Sequence, residues 1–172
     1  MKTVCARLNS IGSTFFLSAL ALAFFAVISG CGEKPAVRIG ETPPLLSGTD
    51  VNGKHVRLDR LKGNVIILYF WSSSCCSDRV KQLEPYYSQN KNRGLTVLAV
   101  QVGGSRNSVL SFARNNGLSF TMLADEDNMI FREYGIIGFP TIFIIDRSGI
   151  VRKKILGDVQ TTQLSKLVAP LL

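Results

Sequence analysis

The residues best suited to chemistry are two adjacent cysteines, Cys75 and Cys76, which follow the apolar run Val65–Trp71. Three serines separate the apolar run from the cysteines, and a helical pattern begins at Cys75. The unpaired N–H groups and the dipole of a helix N-terminus stabilise a thiolate, which is the nucleophilic form of cysteine. The spacing therefore predicts a reactive thiol at Cys75, held between a buried strand and a helix.

Strand and helix patterns alternate on both sides of this thiol. The predicted elements are a β-hairpin at 45–58 that turns at Asn52-Gly53, a buried strand at 65–71, a helix at 75–92, a buried strand at 95–102, a helix from Ser105 or Asn107 to about 116, a strand at 120–123, a helix at 127–134, a β-hairpin with strands 141–146 and 150–155, and a terminal helix from Thr161 or Thr162 to about Pro170. Pro85 predicts a kink inside the helix at 75–92. The crossovers require parallel strands, whereas the late hairpin requires an antiparallel edge. The sequence thus predicts an α/β fold: a central mixed β-sheet flanked by helices, with an N-terminal β-hairpin extension.

Other residues that can carry chemistry have structural interpretations. His55, the one histidine, follows the hairpin turn and is predicted to be an exposed strand residue. The acidic run 125–127 lacks the further spaced ligands of a calcium loop, so we interpret it as charge at a helix N-terminus. Gly103-Gly104 is not followed by the Lys-Ser/Thr of a phosphate loop. The sequence predicts no metal site and no cofactor.

The first 30 residues have the pattern of an export signal. Lys2 and Arg7 precede a nearly uncharged apolar run at 11–28, and small residues then lead to Cys31. The run is long enough for an uncleaved membrane anchor to be the alternative. We predict a lipoprotein signal peptide at 1–30, a polar tether at 31–42 and one folded domain at 43–172.

The segment Ile28-Ser29-Gly30-Cys31 resembles the bacterial lipobox. The resemblance implies cleavage before Cys31 and diacylation of its sulfur, and two acyl chains anchor a protein firmly to a membrane. This implies a lipid-anchored protein of the cell envelope. For a Gram-negative source, the resemblance to lipoproteins implies the outer membrane facing the periplasm, because Gly32 replaces the Asp that usually retains lipoproteins at the inner membrane.

Charge and cysteine content narrow the class of partner. The formal net charge is +8, and it falls to +6 when Lys2 and Arg7 leave with the signal. The remaining basic residues are scattered without an aromatic-basic pattern, which indicates a solvated surface near anionic membrane rather than a nucleic-acid partner.

Of four cysteines, Cys5 leaves with the signal and Cys31 carries lipid, so Cys75 and Cys76 remain and no separated pair forms a structural disulfide.

From about residue 39 to the end, the chain resembles the TlpA-like family of thioredoxin-like proteins, which are membrane-tethered extracytoplasmic thiol–disulfide oxidoreductases. The resemblance rests on Phe70-Trp71 before the cysteines and on the segment from Tyr134 to Thr141. It implies a thioredoxin-like fold, a cis Pro140 that faces the reactive thiol, and protein thiols and disulfides of the cell envelope as partners. It also implies that Trp71, Phe139, Pro140 and Thr141 bind substrate.

The chain departs from the family at the reactive site. The family pattern is Trp-Cys-x-x-Cys, which places Cys75 at the attacking position, Asp78 at the resolving position and Cys76 between them. Asp78 cannot resolve a mixed disulfide, and its charge opposes thiolate formation at Cys75. Adjacent Cα atoms lie about 3.8 Å apart, below the usual disulfide range of about 4.4–6.8 Å, so a Cys75–Cys76 bridge is expected to be strained and easily reduced. The acids that relatives carry on the strand and the helix are replaced by Tyr69 and Lys81.

Four functions remain open at this point. The first is a thiol–disulfide oxidoreductase in which Cys75 attacks and Cys76 or an external thiol resolves. The second is a non-catalytic binding module that holds an extended partner beside Pro140. The third is a peroxidase, because residues 120–134 and Ser72 resemble peroxiredoxins, although Phe139-Pro140 replaces the arginine of those enzymes. The fourth function, and the one with the least support, is capture of a soft metal ion by the two thiols.

Overall fold

A computed structural model of the chain describes residues 37–172. The predicted signal peptide, the predicted lipidation residue Cys31 and the first part of the predicted tether lie outside the described residues. Among residues 37–172, no helix has the length and apolar character needed to cross a membrane. The elements in chain order are β1 (Ser47–Thr49), β2 (His55–Arg57), β3 (Val65–Trp71), α1 (Ser77–Lys81), α2 (Leu83–Asn90), β4 (Leu95–Val102), α3 (Arg106–Asn115), β5 (Thr121–Asp125), α4 (Met129–Glu133), β6 (Thr141–Ile145), β7 (Val151–Leu156) and α5 (Thr161–Val168), with short 3-10 turns at Leu58–Leu61, Lys91–Arg93 and Ala169–Leu171.

Five strands form one mixed sheet in the order β5-β4-β3-β6-β7. Strands β3, β4 and β5 are parallel, whereas β6 is antiparallel to both of its neighbours, β3 and β7. Every residue of the central strand β3 is buried, as expected of a strand covered on both faces. The predicted α/β fold with a mixed central sheet is confirmed.

Apolar side chains pack on both faces of the sheet. Val80, Leu83, Val109 and Leu164 bring α1, α2, α3 and α5 against one face. Tyr134 and Ile136, which follow α4, pack on the opposite face with Phe70 and Phe143 of the strands. Alternate residues of β3 point to the two faces of the sheet. The end of β3 that leads into the cysteines is therefore held by packing on both faces.

The helix predicted at 75–92 is two helices, α1 and α2, which meet at Gln82. Pro85 has no N–H group, and its ring clashes with the carbonyl of the residue four positions earlier. That residue is Lys81, where α1 ends. The proline therefore breaks the helix one turn before its own position instead of kinking it there.

The predicted N-terminal hairpin is confirmed as a separate two-stranded sheet of β1 and β2. Its turn is held by Asp50, whose Oδ1 accepts the N–H groups of Asn52 and Lys54 at 2.9 and 2.8 Å. The Val51 N–H donates to the carbonyl of Met122 at 3.0 Å, so the hairpin covers the β5 edge of the main sheet. His55 is exposed on β2, as predicted.

The folded domain begins before residue 43, within the stretch predicted as a tether. Val37 is buried, and the Gly40 N–H donates to the carbonyl of Val151 at 2.8 Å. The Val151 N–H returns a hydrogen bond to the carbonyl of Glu41 at 3.0 Å. These residues belong to the domain because they satisfy backbone groups at the start of β7.

Candidate active site

Two loops meet at one end of the sheet, and the register of β3 with β6 brings them together. Residues 72–76, the cysteine loop, leave the end of β3, and residues 135–140, the proline loop, lead into β6. Phe70 lies opposite Thr141 in the antiparallel pair, so Pro140 comes level with Trp71. The Phe139–Pro140 peptide bond is cis, as the resemblance implied.

The two cysteines differ in environment although they are neighbours. Cys75 is exposed, whereas Cys76 is only 2% exposed and packs with Tyr69, Trp71 and Val80. Their sulfurs are joined as a vicinal disulfide. A substrate therefore meets Cys75 first, and Cys76 lies behind it in the core.

Cys76, not Cys75, occupies the N-cap of α1, which corrects the predicted helix start. The N–H groups of both cysteines donate to the Ser72 carbonyl, at 3.3 and 3.1 Å, and this turn delays the helix until Ser77. The Cys76 carbonyl then accepts the N–H groups of Arg79 and Val80 at 3.1 Å each. No side chain caps α1, so its first amides remain directed toward the cysteine loop.

Serine hydroxyls support the shape of the cysteine loop. The Ser77 Oγ donates to the Ser73 carbonyl at 2.9 Å, and the Oγ atoms of Ser72 and Ser74 lie 3.0 Å apart. Hydroxyl groups hold the turn without adding a fixed negative charge beside the cysteines.

Two of the predicted substrate-binding residues have buried side chains. Trp71 is 0% exposed and stacks on Phe112 with ring centroids 4.9 Å apart. Thr141 is 1% exposed, and its Oγ1 donates to the Gly138 carbonyl at 2.7 Å. Neither side chain is available to a substrate in this structure. Trp71 supports the cysteine loop, and Thr141 fixes the proline loop.

Phe139 offers a substrate its backbone. Its ring packs on Phe131 at 5.8 Å, while its N–H and carbonyl have no hydrogen-bond partner among the described residues. Pro140 is buried, and its carbonyl accepts the Gly157 N–H at 2.8 Å. The free donor and acceptor of Phe139 are suited to an extended chain laid beside Cys75.

The charges nearest the cysteines are paired. Asp78 lies 2.7 Å from Lys81, and this hydrogen bond and charge hold the pKa of Asp78 below its usual value. Asp78 is 86% exposed, so its charge is directed into solvent and opposes a thiolate at Cys75 less than the sequence predicts.

A second ion pair joins Arg79 of α1 to Asp158 after β7 at 2.7 Å. Sequence reasoning did not find this pair, because no local pattern connects two residues so far apart in the chain. Burial raises the pKa of the nearby Tyr69 hydroxyl, as does the charge of Asp158, so Tyr69 stays protonated at neutral pH. Tyr69 therefore does not replace the ionisable acid of the family's strand as a proton acceptor.

The acidic run at 125–127 has the role predicted for it. Asp125 is buried, and its carboxylate accepts the N–H groups of Ile130 and Phe131 at 3.1 and 2.8 Å. These are first-turn amides of α4, so the charge stabilises a helix N-terminus.

A five-stranded mixed sheet with two parallel and two antiparallel strand pairs, helices on both faces and a cysteine loop after the central strand defines a thioredoxin-like protein. The AhpC/TSA family model matches residues 39–154, and the chain belongs to that family. It is 34% identical over 129 residues to the thiol-disulfide oxidoreductase ResA of Geobacillus thermodenitrificans, covering 74% of each chain. The predicted membership of the TlpA-like thioredoxin proteins is confirmed.

Solved structures agree on the fold. The crystal structure of StoA from Bacillus subtilis is 25% identical, with a TM-score of 0.64 over 78% of this chain and 99% of that one. A thiol:disulfide interchange protein of the thioredoxin family from Chlorobium tepidum gives a TM-score of 0.70 at 24% identity, over 79% and 99% of the two chains.

Proposed function

We propose that this protein is a thiol–disulfide oxidoreductase in which Cys75 attacks and Cys76 resolves. The observation that carries the proposal is the contrast between an exposed Cys75 and a buried Cys76, in a loop at the same end of the sheet as the unpaired backbone of Phe139. The relative named thiol-disulfide oxidoreductase ResA supports the same class of reaction.

The reaction follows thiol–disulfide exchange. The Cys75 thiolate attacks one sulfur of a substrate disulfide, the substrate S–S bond breaks, and one substrate thiolate leaves and takes up a proton. The deprotonated Cys76 then attacks the Cys75 sulfur, and the second substrate thiol is released. Two electrons and two protons have passed to the substrate, and the enzyme holds the Cys75–Cys76 disulfide.

The partners we propose are protein thiols and disulfides of the cell envelope. A reductant of the same compartment returns the Cys75–Cys76 disulfide to the dithiol. The exposed Cys75 and the free backbone of Phe139 suit an extended polypeptide better than a small thiol, because a small thiol has no backbone to pair.

Trapping the mixed disulfide tests the two cysteine roles. The full chain carrying Cys76→Ser should accumulate a covalent complex with a disulfide-containing peptide, and Cys75→Ser should form none. Mass spectrometry of the non-reduced protein identifies the linked cysteine. Equal turnover of the two variants, or linkage through Cys76, would contradict the assignment.

Two further experiments distinguish the oxidoreductase from a peroxidase and from a non-catalytic binding module. Rapid formation of a sulfenic acid at Cys75 in dilute peroxide, without turnover of the peptide disulfide, would favour a peroxidase. Unchanged partner binding by the double Cys→Ser variant, with no turnover by the parent chain, would favour a non-catalytic module.

We further propose that the mature protein is a lipoprotein of the cell envelope, anchored through Cys31 and, in a Gram-negative source, held at the outer membrane facing the periplasm. The lipobox-like segment before Cys31 and the apolar run at 11–28 support this. Mass spectrometry of the N-terminal peptide should show a diacylated cysteine and no residues 1–30. A parent protein that keeps residues 1–30 with an unmodified Cys31 would favour an uncleaved anchor, whereas loss of the signal with no lipid on Cys31 would favour a plain signal peptide.

A further inference from the structure

The end of the sheet opposite the cysteine loop carries a group of exposed basic side chains. It is formed by the starts of β3, β4 and β7, and the segment that leads into the domain bonds to the start of β7. Arg147 joins two loops at this end, because its guanidinium donates to the carbonyls of Gly63 and Arg93 at 3.0 Å each. Five exposed basic residues lie here, and none of them is in an ion pair within residues 37–172: Arg38, Arg60, Lys62, Lys91 and Arg93.

Apolar side chains are exposed at the same end. Ile39 is 61% exposed and Leu45 is 51% exposed. Leu45 borders a cavity of about 160 Å³ that has Lys62 on its wall and a mainly apolar lining, which includes Leu58 and Ile145. An apolar hollow bordered by a cation matches a lipid, in which acyl chains adjoin an anionic phosphate. We call the surface at this end the basal face, and it comprises Arg38, Ile39, Leu45, Arg60, Lys62 and Arg93.

The two ends of the sheet differ in charge. At the basal end, Asp59 and Asp146 are each paired with an arginine and Glu41 is exposed, so the basic residues are in excess. At the cysteine end, Arg79 and Lys81 are both paired with acids, and three exposed acids lie on or beside α4: Glu126, Asp127 and Glu133. An anionic surface therefore attracts the basal face more strongly than the cysteine end.

The proposed anchor is close to the basal face along the chain. Val37 lies six residues after Cys31, and an extended chain of that length spans at most about 22 Å. An uncleaved anchor that ends at Ile28 would add three residues, or about 11 Å. Val37 in turn lies three residues before Gly40, which bonds to Val151 at the start of β7. Either anchor therefore keeps the basal face within reach of the lipid surface.

We propose that the basal face binds the anionic lipid surface in which the protein is anchored, and that this contact directs the cysteine loop away from the membrane. The basic side chains contact lipid phosphates, and Ile39 and Leu45 enter the boundary between headgroups and acyl chains. Each Lys or Arg held near an anionic surface strengthens the contact by about fivefold. The inference goes beyond the oxidoreductase function and rests on the proposed membrane anchor, whether that anchor is a lipid on Cys31 or an uncleaved segment.

Amine footprinting of the full chain tests the proposal. The oxidised protein is anchored in vesicles of phosphatidylcholine alone or of phosphatidylcholine with phosphatidylglycerol, its lysines are acetylated, and mass spectrometry measures the modification rate at each lysine. Lys62 should react at least about fivefold more slowly on the anionic vesicles than on the neutral ones. Lys81, at the cysteine end, should change by less than about twofold, and high salt should remove the protection of Lys62.

Three variants identify the residues that make the contact. Arg60→Glu and Leu45→Ser should each reduce the protection of Lys62 severalfold. Arg132→Glu is the matched control, because it makes the same charge change at an exposed position of α4, a helix that leads directly into the proline loop. It should leave the protection intact. All three variants should reduce hydroxyethyl disulfide at the parent rate, since none of them changes the cysteine loop.

The outcomes separate the proposals. A full chain that does not remain with either kind of vesicle would overturn the membrane anchor, and the basal face with it. A chain that remains with the vesicles but shows equal modification of Lys62 on both, or stronger protection of Lys81, would overturn the basal face alone. Protection of Lys62 that Arg60→Glu and Leu45→Ser both leave intact would also overturn it. The oxidoreductase function is tested separately, by turnover of the peptide disulfide.

Discussion

The turn at Asp146 and the cysteine loop lie at opposite ends of the same sheet, and they satisfy their backbones in different ways. Asp146 Oδ1 accepts the N–H groups of Ser148 and Ile150 at 2.9 and 3.0 Å, and Oδ2 accepts from Arg152 Nε at 2.6 Å. In the cysteine loop, the amides of Cys75 and Cys76 donate to a backbone carbonyl and no side chain caps α1.

The comparison extends to other turns of the domain. Asp50 and Asp125 are buried carboxylates that each accept two backbone N–H groups, as Asp146 does. A carboxylate in the cysteine loop would stabilise the turn, but its charge would oppose a thiolate. The cysteine loop instead uses serine hydroxyls and a carbonyl, and it places no carboxylate at the start of α1 as a cap.

Loss of the attacking sulfur should have the largest effect. We expect Cys75→Ser to reduce turnover of a peptide disulfide by about 1,000-fold or more, to the uncatalysed background, with little change in thermal stability, because Cys75 is exposed. Asp146→Asn should show the reverse pattern, with normal turnover and lower stability. Measurement of both quantities for both variants checks the division of roles, and a Cys75→Ser protein with half or more of the parent activity would contradict it.

Moving the resolving thiol should recover activity. Asp78 stands three residues after Cys75, where the Trp-Cys-x-x-Cys pattern of the family has its resolving cysteine. We therefore expect Asp78→Cys to restore peptide reduction in a Cys76→Ser background, as measured by single-turnover release of the second substrate thiol. Asp78→Ser in the same background is the matched control and should leave the mixed disulfide trapped. Equal trapping in both would show that residue 78 does not reach Cys75.

The contribution of the Asp146 turn to the free energy of unfolding should depend on pH. Burial acts to raise the pKa of Asp146, but hydrogen bonds from Ile150, Arg152 and Ser148 outweigh it, and the pKa lies below its usual value. The stabilisation is complete above the unfolded-state pKa of about 3.9 and is lost as the pH falls through the lower folded-state pKa. Asp146→Asn should therefore cost about 1–2 kcal/mol at pH 7 and progressively less below pH of about 4.

Denaturant unfolding at several pH values measures this effect. Asp59→Asn is the control, since Asp59 is exposed and its ion pair with Arg57 lies at the surface, and it should leave the free energy of unfolding nearly unchanged. A cost for Asp146→Asn that stays constant to pH 2 would contradict the role of the carboxylate charge.

The smallest effect is expected at Asp78. Its carboxylate is 86% exposed and paired with Lys81, so Asp78→Asn should change the alkylation rate of Cys75 by less than about twofold. A tenfold acceleration would instead show that the acid suppresses the thiolate, as its position in the sequence suggests.

Sequence patterns that span only a few neighbouring residues predicted most of the fold. The continuous apolar run of β3, the Asn52-Gly53 turn and the Ser105 cap of α3 each depend on neighbouring residues, and the structure confirms all three. The sequence predicts a kink inside the helix because of Pro85, but the structure has a break at Gln82, because the proline ring clashes with the carbonyl four residues upstream.

The site was predicted less completely than the fold. The family resemblance implied the cis Pro140, and the local spacing predicted a reactive thiol at Cys75, which the structure shows to be exposed. The Arg79–Asp158 pair, and the contact of Leu156 with Gly138, depend on strand order, which brings distant segments together. Burial of Trp71 and Thr141 likewise follows from packing, so the sequence could name these residues but not assign them supporting roles.

Site-resolved alkylation of the reduced full-length protein tests the central claim most directly. Iodoacetamide is added over a series of pH values, and mass spectrometry measures modification at Cys75 and Cys76 separately. An exposed attacking thiol and a buried resolving thiol predict that Cys75 reacts at least about tenfold faster and at lower pH. Equal rates, or faster modification of Cys76, would contradict the assignment of the two cysteines.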